Sequence, residues 1–150
     1  MAAGLSLEKE NIAEFRRRIN ENCKLTEEDF VEKVLIDVPM PLSYVSKELI
    51  QELQILEPFG NGNSKPVFAE RQLQLCWIRP MGKNGNMAKM QVKDQQGNDF
   101  TLVMFQGAEQ LLQEQPKWID VIYYPSINSY RGRDEIQFIV QDYKESKQKL

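Results

Sequence analysis

One stretch, Leu56-Glu57-Pro58-Phe59-Gly60-Asn61-Gly62-Asn63-Ser64-Lys65-Pro66-Val67-Phe68, constrains the chain more than any other. Pro58 cannot extend a helix, because it has no N–H and its ring collides with the preceding turn. Gly60, Asn61, Gly62 and Asn63 suit positive φ angles and hence a tight turn. Pro66 pushes Lys65 toward extended backbone and into a strand. Upstream, apolar residues recur at helical spacing; downstream, they follow the shorter period of strands. The stretch is therefore a joint between a helical part and a β part. Its glycines could also cradle a phosphate on backbone amides. The structural use is the stronger expectation, with Gly60 and Gly62 turning the helix into the first strand and Phe59 and Phe68 pinning the junction.

A chain of 150 residues, 41% hydrophobic, holds one modest domain or a small domain with an appendage. It contains no histidine, which excludes Ser-His-Asp and Cys-His catalysis and histidine-ligated zinc. Asp94, Asp99, Asp120, Asp134 and Asp142 fall in or beside expected turns and strand ends, where aspartate serves the backbone rather than a metal. Cys23 and Cys76 lack metal-ligand spacing and are expected as reduced, partly buried thiols. There is no apolar run of about 18 residues and no basic-then-apolar start. The expectation is a cytoplasmic chain with no membrane partner and no catalysis of its own.

Charge is uneven. Residues 1–57 carry seven Lys/Arg against twelve Asp/Glu, a balance of −5, and residues 58–150 carry twelve against ten, a balance of +2. A polyanion would meet the β part.

Met1-Ala2-Ala3-Gly4 reads as the end of a larger domain. Ser6 is placed to cap a first helix, with Ile12, Phe15 and Ile19 as its apolar stripe. Arg16, Arg17 and Arg18 fan over about 200° of such a helix, so a solvated face is expected rather than a phosphate contact. Thr26 caps a short turn through Phe30. Residues 33–38 read as a short edge strand before Pro39 and Pro41. Ser46 caps a second helix whose Leu49, Ile50, Leu53 and Leu56 form one face, expected to pack on the β part.

Five strands follow. The first spans about Gln72 to Arg79, with Leu73, Leu75 and Trp77 on one side; Trp77 and Trp118 are both expected in the core. The second, Met87 to Lys93, sets Lys89, Gln91 and Lys93 against Ala88, Met90 and Val92. The third runs from Asp99 to Phe105. Gly107 to Glu114 is helical and is ended by Pro116. Trp118 to Tyr130 makes a long, bent fourth strand. A turn at Arg131-Gly132-Arg133-Asp134 leads to a fifth strand over Glu135 to Gln141, and a polar tail follows from Tyr143. Three meandering strands, a helix and a hairpin give the element order of an OB fold. The fold class is α+β, mainly β: a five-stranded OB-fold barrel preceded by a helical segment.

OB folds bind oligonucleotides or oligosaccharides on one sheet face and its flanking loops. That surface would carry Lys83, Lys89, Gln91, Lys93, Tyr130, Arg131 and Arg133. Cations that track a backbone and aromatics on which bases stack are what a single strand requires. Ordinary solvent-facing lysines and turn arginines are the competing interpretation.

Leu56 to Phe68 resembles a signature of the RecJ family, single-strand-specific 5′→3′ DNA exonucleases of the DHH phosphoesterase superfamily, of the form Leu-Glu-Pro-Phe-Gly-x-Gly-Asn-Pro-x-Pro-x-Phe. Ser64 departs from it where the family has proline. Asn128 to Arg133, with Ile136, Phe138, Val140 and Asp142, is similar to the family's last barrel hairpin, and Ala2-Ala3-Gly4 to the end of its Gly-Gly-His-x-x-Ala-Ala-Gly motif. The resemblance implies the end of a DHH-associated domain over residues 1–45, a linker helix and glycine-rich junction over 46–65, an OB domain over 66–143 and a polar tail over 144–150. It implies no cofactor on this chain, with Mn²⁺ or Mg²⁺ serving a catalytic core absent from it. It implies single-stranded DNA as ligand, with that core and single-strand-binding protein as partners, in DNA recombination and repair. The alternative is an interaction domain that braces the core with little DNA contact.

Overall fold

Outward Lys89, Gln91 and Lys93 alternate with buried Ala88, Met90 and Val92, and one-sided burial of that kind fixes both strand and register. In the computed structural model this segment is strand β3 (Met87–Lys93). The structure describes residues 4–31, 34–83, 85–130 and 132–147, Tyr130 by its backbone alone. The chain divides into two units, residues 1–34 and 35–150.

In the first unit, helix α1 spans Ile12–Asn22 and follows a 3-10 turn, Lys9–Asn11. The expected cap at Ser6 is not made, because this tighter turn intervenes and Asn11 precedes the helix. Glu14 pairs with Arg17 (2.6 Å) and Arg18 (2.7 Å), and Arg17 with Glu21 (2.7 Å). Two of the three arginines are thus engaged along the helix itself. A second 3-10 turn, Glu27–Phe30, is fixed by Asp29, whose carboxylate accepts from the Thr26 backbone N–H (2.7 Å) and hydroxyl (3.0 Å). None of these elements contains a buried residue.

In the second unit, strand β1 is only Val38–Pro39, joined in parallel to β2 (Phe68–Met81). Helix α2 (Lys47–Leu53) is capped by Ser46, whose hydroxyl oxygen accepts from the Leu49 N–H at 3.2 Å. Ile50 is buried and Leu53 packs on the core, whereas Leu56 is exposed in the following 3-10 turn. After β3 come β4 (Asp99–Met104), helix α3 (Glu109–Glu114), β5 (Trp118–Tyr130) and β6 (Arg133–Glu145). The strand order is β1-β2-β3-β4-β6-β5, and β2 also pairs with β5, so β2 to β6 close into a five-stranded barrel. The β4–β6 pair is parallel and the other barrel pairs are antiparallel. This is the OB-fold barrel expected from the element order.

Leu73, Met90, Val92, Leu102, Leu111, Ile119, Val121 and Tyr123 fill the core. Strand β2 serves two neighbours, β5 along residues 68–74 and β3 along 74–81. Its register slips twice, between Glu70 and Leu73 and between Leu75 and Trp77. At the first slip Gln72 adopts φ 59° and its N–H donates to the Asp120 carboxylate at 2.9 Å. The second inserts Cys76 as an extra residue and reverses the phase beyond it. Leu75 pairs with inward Val92, but Trp77 pairs with outward Gln91. The expectation of Leu73, Leu75 and Trp77 on one side therefore fails at Trp77. Trp118 pairs with Gln74, in the row of outward Lys93, and is likewise outside the core cluster. Cys23 and Cys76 are both exposed rather than partly buried.

The junction is a closed turn. Gly60 N–H donates to the Asn63 carbonyl (2.8 Å), Asn63 N–H to the Gly60 carbonyl (3.1 Å), and the Asn63 side chain to the carbonyls of Leu56 (2.8 Å) and Pro58 (3.0 Å). Of the two junction glycines only Gly62 has a positive φ, 83°. Phe59 meets Tyr124 edge-on at 6.3 Å and Phe68 meets Tyr123 at 5.9 Å. The amides of Gly60 and Asn63 are spent on each other, which leaves them unavailable to a phosphate.

Candidate nucleic-acid interface

The outer face of β2, β3 and β4 is ordered in cross-strand rows. One row joins Gln74, Lys93 and Asp99; the next, Trp77, Gln91 and Thr101; a third, Arg79, Lys89 and Val103. Lys89 and Arg79 are exposed, and Trp77, Gln91 and Lys93 are partly exposed. Adjacent rows on one face stand about 7 Å apart, near the spacing of successive nucleotides in an extended strand.

Side-chain contacts knit these rows. The Arg79 guanidinium lies over the Trp77 ring, 5.1 Å from its centroid. Trp77 Nε1–H donates to Gln91 Oε1, and Gln91 Nε2 donates to Asp99 Oδ1 at 2.8 Å. Lys93 Nζ stands 3.8 Å from Asp99 Oδ2, a solvent-exposed pair of small energetic weight. Beyond Lys93 the face runs into a groove of about 380 Å³ between Gln74, Lys93 and Trp118. Its floor is the β3–β4 turn, where buried Asp94 accepts from the N–H groups of Gln96 (2.9 Å) and Asn98 (2.8 Å).

The predicted residues distribute unevenly. Lys89 and Lys93 share the β3 face. Lys83 is exposed in the loop that joins β2 to β3. Arg133 is exposed at the start of β6, opposite Tyr130. It lies six residues from Ile139, which continues the Lys89 row through Val103, and so about 20 Å along the strand. Arg131 and the Tyr130 side chain lie outside the described residues. Sequence reasoning missed Trp77 and Arg79 on the face. Trp77-x-Arg79 opposite Gln91-x-Lys89 was the available signal, obscured by apolar Cys76 at the slip.

Among the described residues no three His, Cys, Asp or Glu side chains converge on a possible metal site. The aspartates are otherwise engaged: Asp120 with Gln72, Asp134 with the Ser129 hydroxyl and Asp142 with the Tyr143 N–H. Among the described residues no helix is long and apolar enough to cross a membrane.

The family profile described as the RecJ OB domain matches residues 36–142. The chain belongs to the RecJ OB domain family. It is 31% identical over 147 residues to the single-stranded-DNA-specific exonuclease RecJ of Bacillus subtilis, a match that covers 95% of this chain and 18% of that protein. The crystal structure of RecJ from Thermus thermophilus with Mg²⁺ superimposes with a TM-score of 0.74 at 18% identity, covering 95% of this chain and 21% of that one. The structure of the same protein with Mn²⁺ gives 0.69 at 17% identity and 20% of its length. These two likenesses concern the fold. The chain spans about a fifth of each RecJ relative. The RecJ OB match takes in the junction, strands β2 to β5, β6 as far as Asp142, and the rows of the outer face.

Proposed function

We propose that this chain is the single-stranded DNA-binding module of a RecJ-type 5′→3′ exonuclease. One observation carries the reading: the outer face of a RecJ OB barrel presents Lys89, Lys93 and Arg79 around a partly exposed Trp77. Cations there would neutralise phosphates while the aromatic surface accepts bases without regard to sequence. Lys83, Lys89, Lys93, Arg131 and Arg133 are the proposed phosphate contacts and Tyr130 a stacking residue. The catalytic core that digests the held strand, with Mn²⁺ or Mg²⁺, would belong to the parent protein, as would roles in recombination and repair and contact with single-strand-binding protein.

Residues 1–45 would form the end of the DHH-associated domain in this reading. Their last part already reaches the barrel, since β1 bonds to β2 and the Leu42 N–H donates to Glu70 at 2.7 Å.

Titration with a short deoxyoligonucleotide across a salt series tests the proposal. Five phosphate contacts predict a slope of log K against log salt of roughly −3.5, at about −0.7 per contact. Lys89→Glu with Lys93→Glu should flatten that slope. Absence of binding, or binding indifferent to salt, would sink it.

A bracing or docking role is the second reading. The elements of residues 4–31 bury nothing, and Ile19, Leu25, Phe30 and Val31 are each more than half exposed. Unchanged DNA affinity in the full parent enzyme after Arg131→Glu with Arg133→Glu would favour it.

A further inference from the structure

We propose that Trp77, with Arg79 over its ring, is the platform on which a base of the bound strand stacks, and that Gln91 and Asp99 hold it in position. The proposal rests on the single-strand reading above and sharpens it to one subsite.

Trp77 does not belong to the core. The core cluster and the residues packed against it omit it, and the register slip at Cys76 turns its ring outward among polar side chains. An indole left partly exposed on the outer face forgoes part of the burial that would stabilise the fold. The ring is nonetheless fixed. Its N–H is only a donor and the Asp99 carboxylate only an acceptor, so the Gln91 amide between them has a single workable orientation. Partial exposure with a pinned ring is preorganisation: little conformational freedom is left to lose when a base arrives. Arg79 adds a planar cation against the same ring, and Lys89, opposite Arg79, sets a second charge beside it for the phosphate. Base-facing and phosphate-facing groups thus adjoin within two rows of one face.

Two probes separate stacking from charge: an oligothymidylate of roughly ten nucleotides and an abasic deoxyribose-phosphate strand of the same length. In the full chain, Trp77→Ala should weaken thymidylate binding roughly five- to a hundredfold with the salt slope unchanged. Abasic binding should be unaffected. Trp77→Phe should recover most of the loss. The Trp77 indole N–H resonance, identified by its absence in Trp77→Phe, should move with thymidylate and stay with the abasic strand. Gln91→Leu, which removes the acceptor that holds the indole N–H, should move that resonance in the unbound protein and narrow the gap between the two affinities. Thymidylate affinity unchanged in Trp77→Ala, or an equal loss on both strands, overturns the platform and leaves the DNA-binding module standing. Failure of the unmodified chain to bind either strand overturns both.

Discussion

Asp94 is buried at the β3–β4 turn, and burial alone would raise its carboxyl pKa. The hydrogen bonds from Asn98, Gln96 and Gly97 outweigh that penalty and hold it below its ordinary value. Glu70 has the opposite balance. Burial pushes its pKa up, the Leu42 N–H only partly opposes this, and the charge on Asp94 adds to the rise. The two groups therefore tilt stability in opposite directions. Asp94, with a folded pKa below its unfolded one, stabilises above the ordinary carboxylate range and loses that contribution as the pH falls through the folded value. Glu70, with a folded pKa above its unfolded one, favours the fold at acid pH and withdraws that help as pH rises. Asp94→Asn should cost about 1–3 kcal/mol at neutral pH, a deficit that shrinks in acid. Glu70→Gln should match or exceed the unmodified chain at neutral pH and lose that advantage in acid. Urea midpoints measured from pH 3 to 8 check both signs.

Strand β3 was legible in the sequence because every residue agrees with the pleat. Strand β2 was not. Glu70 and Arg71 interrupt its apolar pattern at the first slip, so its start was expected near Gln72 rather than Phe68. An extra residue at the second slip looks like ordinary apolar continuity, and only pairing reveals the reversal that sends Trp77 outward. The candidate face was legible to the same extent, lysines from β3 but not their neighbours from β2. At the junction the sequence spoke clearly, since Pro58, Gly62 and Asn63 each have one conformational use. Asn63 ties the end of the helical segment to the turn through two carbonyls. Asn63→Ala should cost about 1 kcal/mol and speed amide exchange at Gly60 and Asn63 while leaving β3 and β4 protection unchanged.

The core cluster draws all its members from residues 42–140, and closure through the β2–β5 pair depends on nothing in the first unit. A chain of residues 35–150 should therefore fold by itself. Its barrel amide resonances should overlay those of the full chain; wholesale shifts or loss of dispersion would contradict this. Within that barrel Leu73→Ala, at a fully buried site, should cost about 2–5 kcal/mol, read from the denaturant midpoint.

Closure leaves β1 as the outermost strand, two residues long, with Pro39 as its second. A proline has no N–H to offer a neighbouring chain, and two residues are too few to template a growing sheet. The segment that lengthens the barrel's wall thus also discourages copies of the protein from adding to it edge to edge.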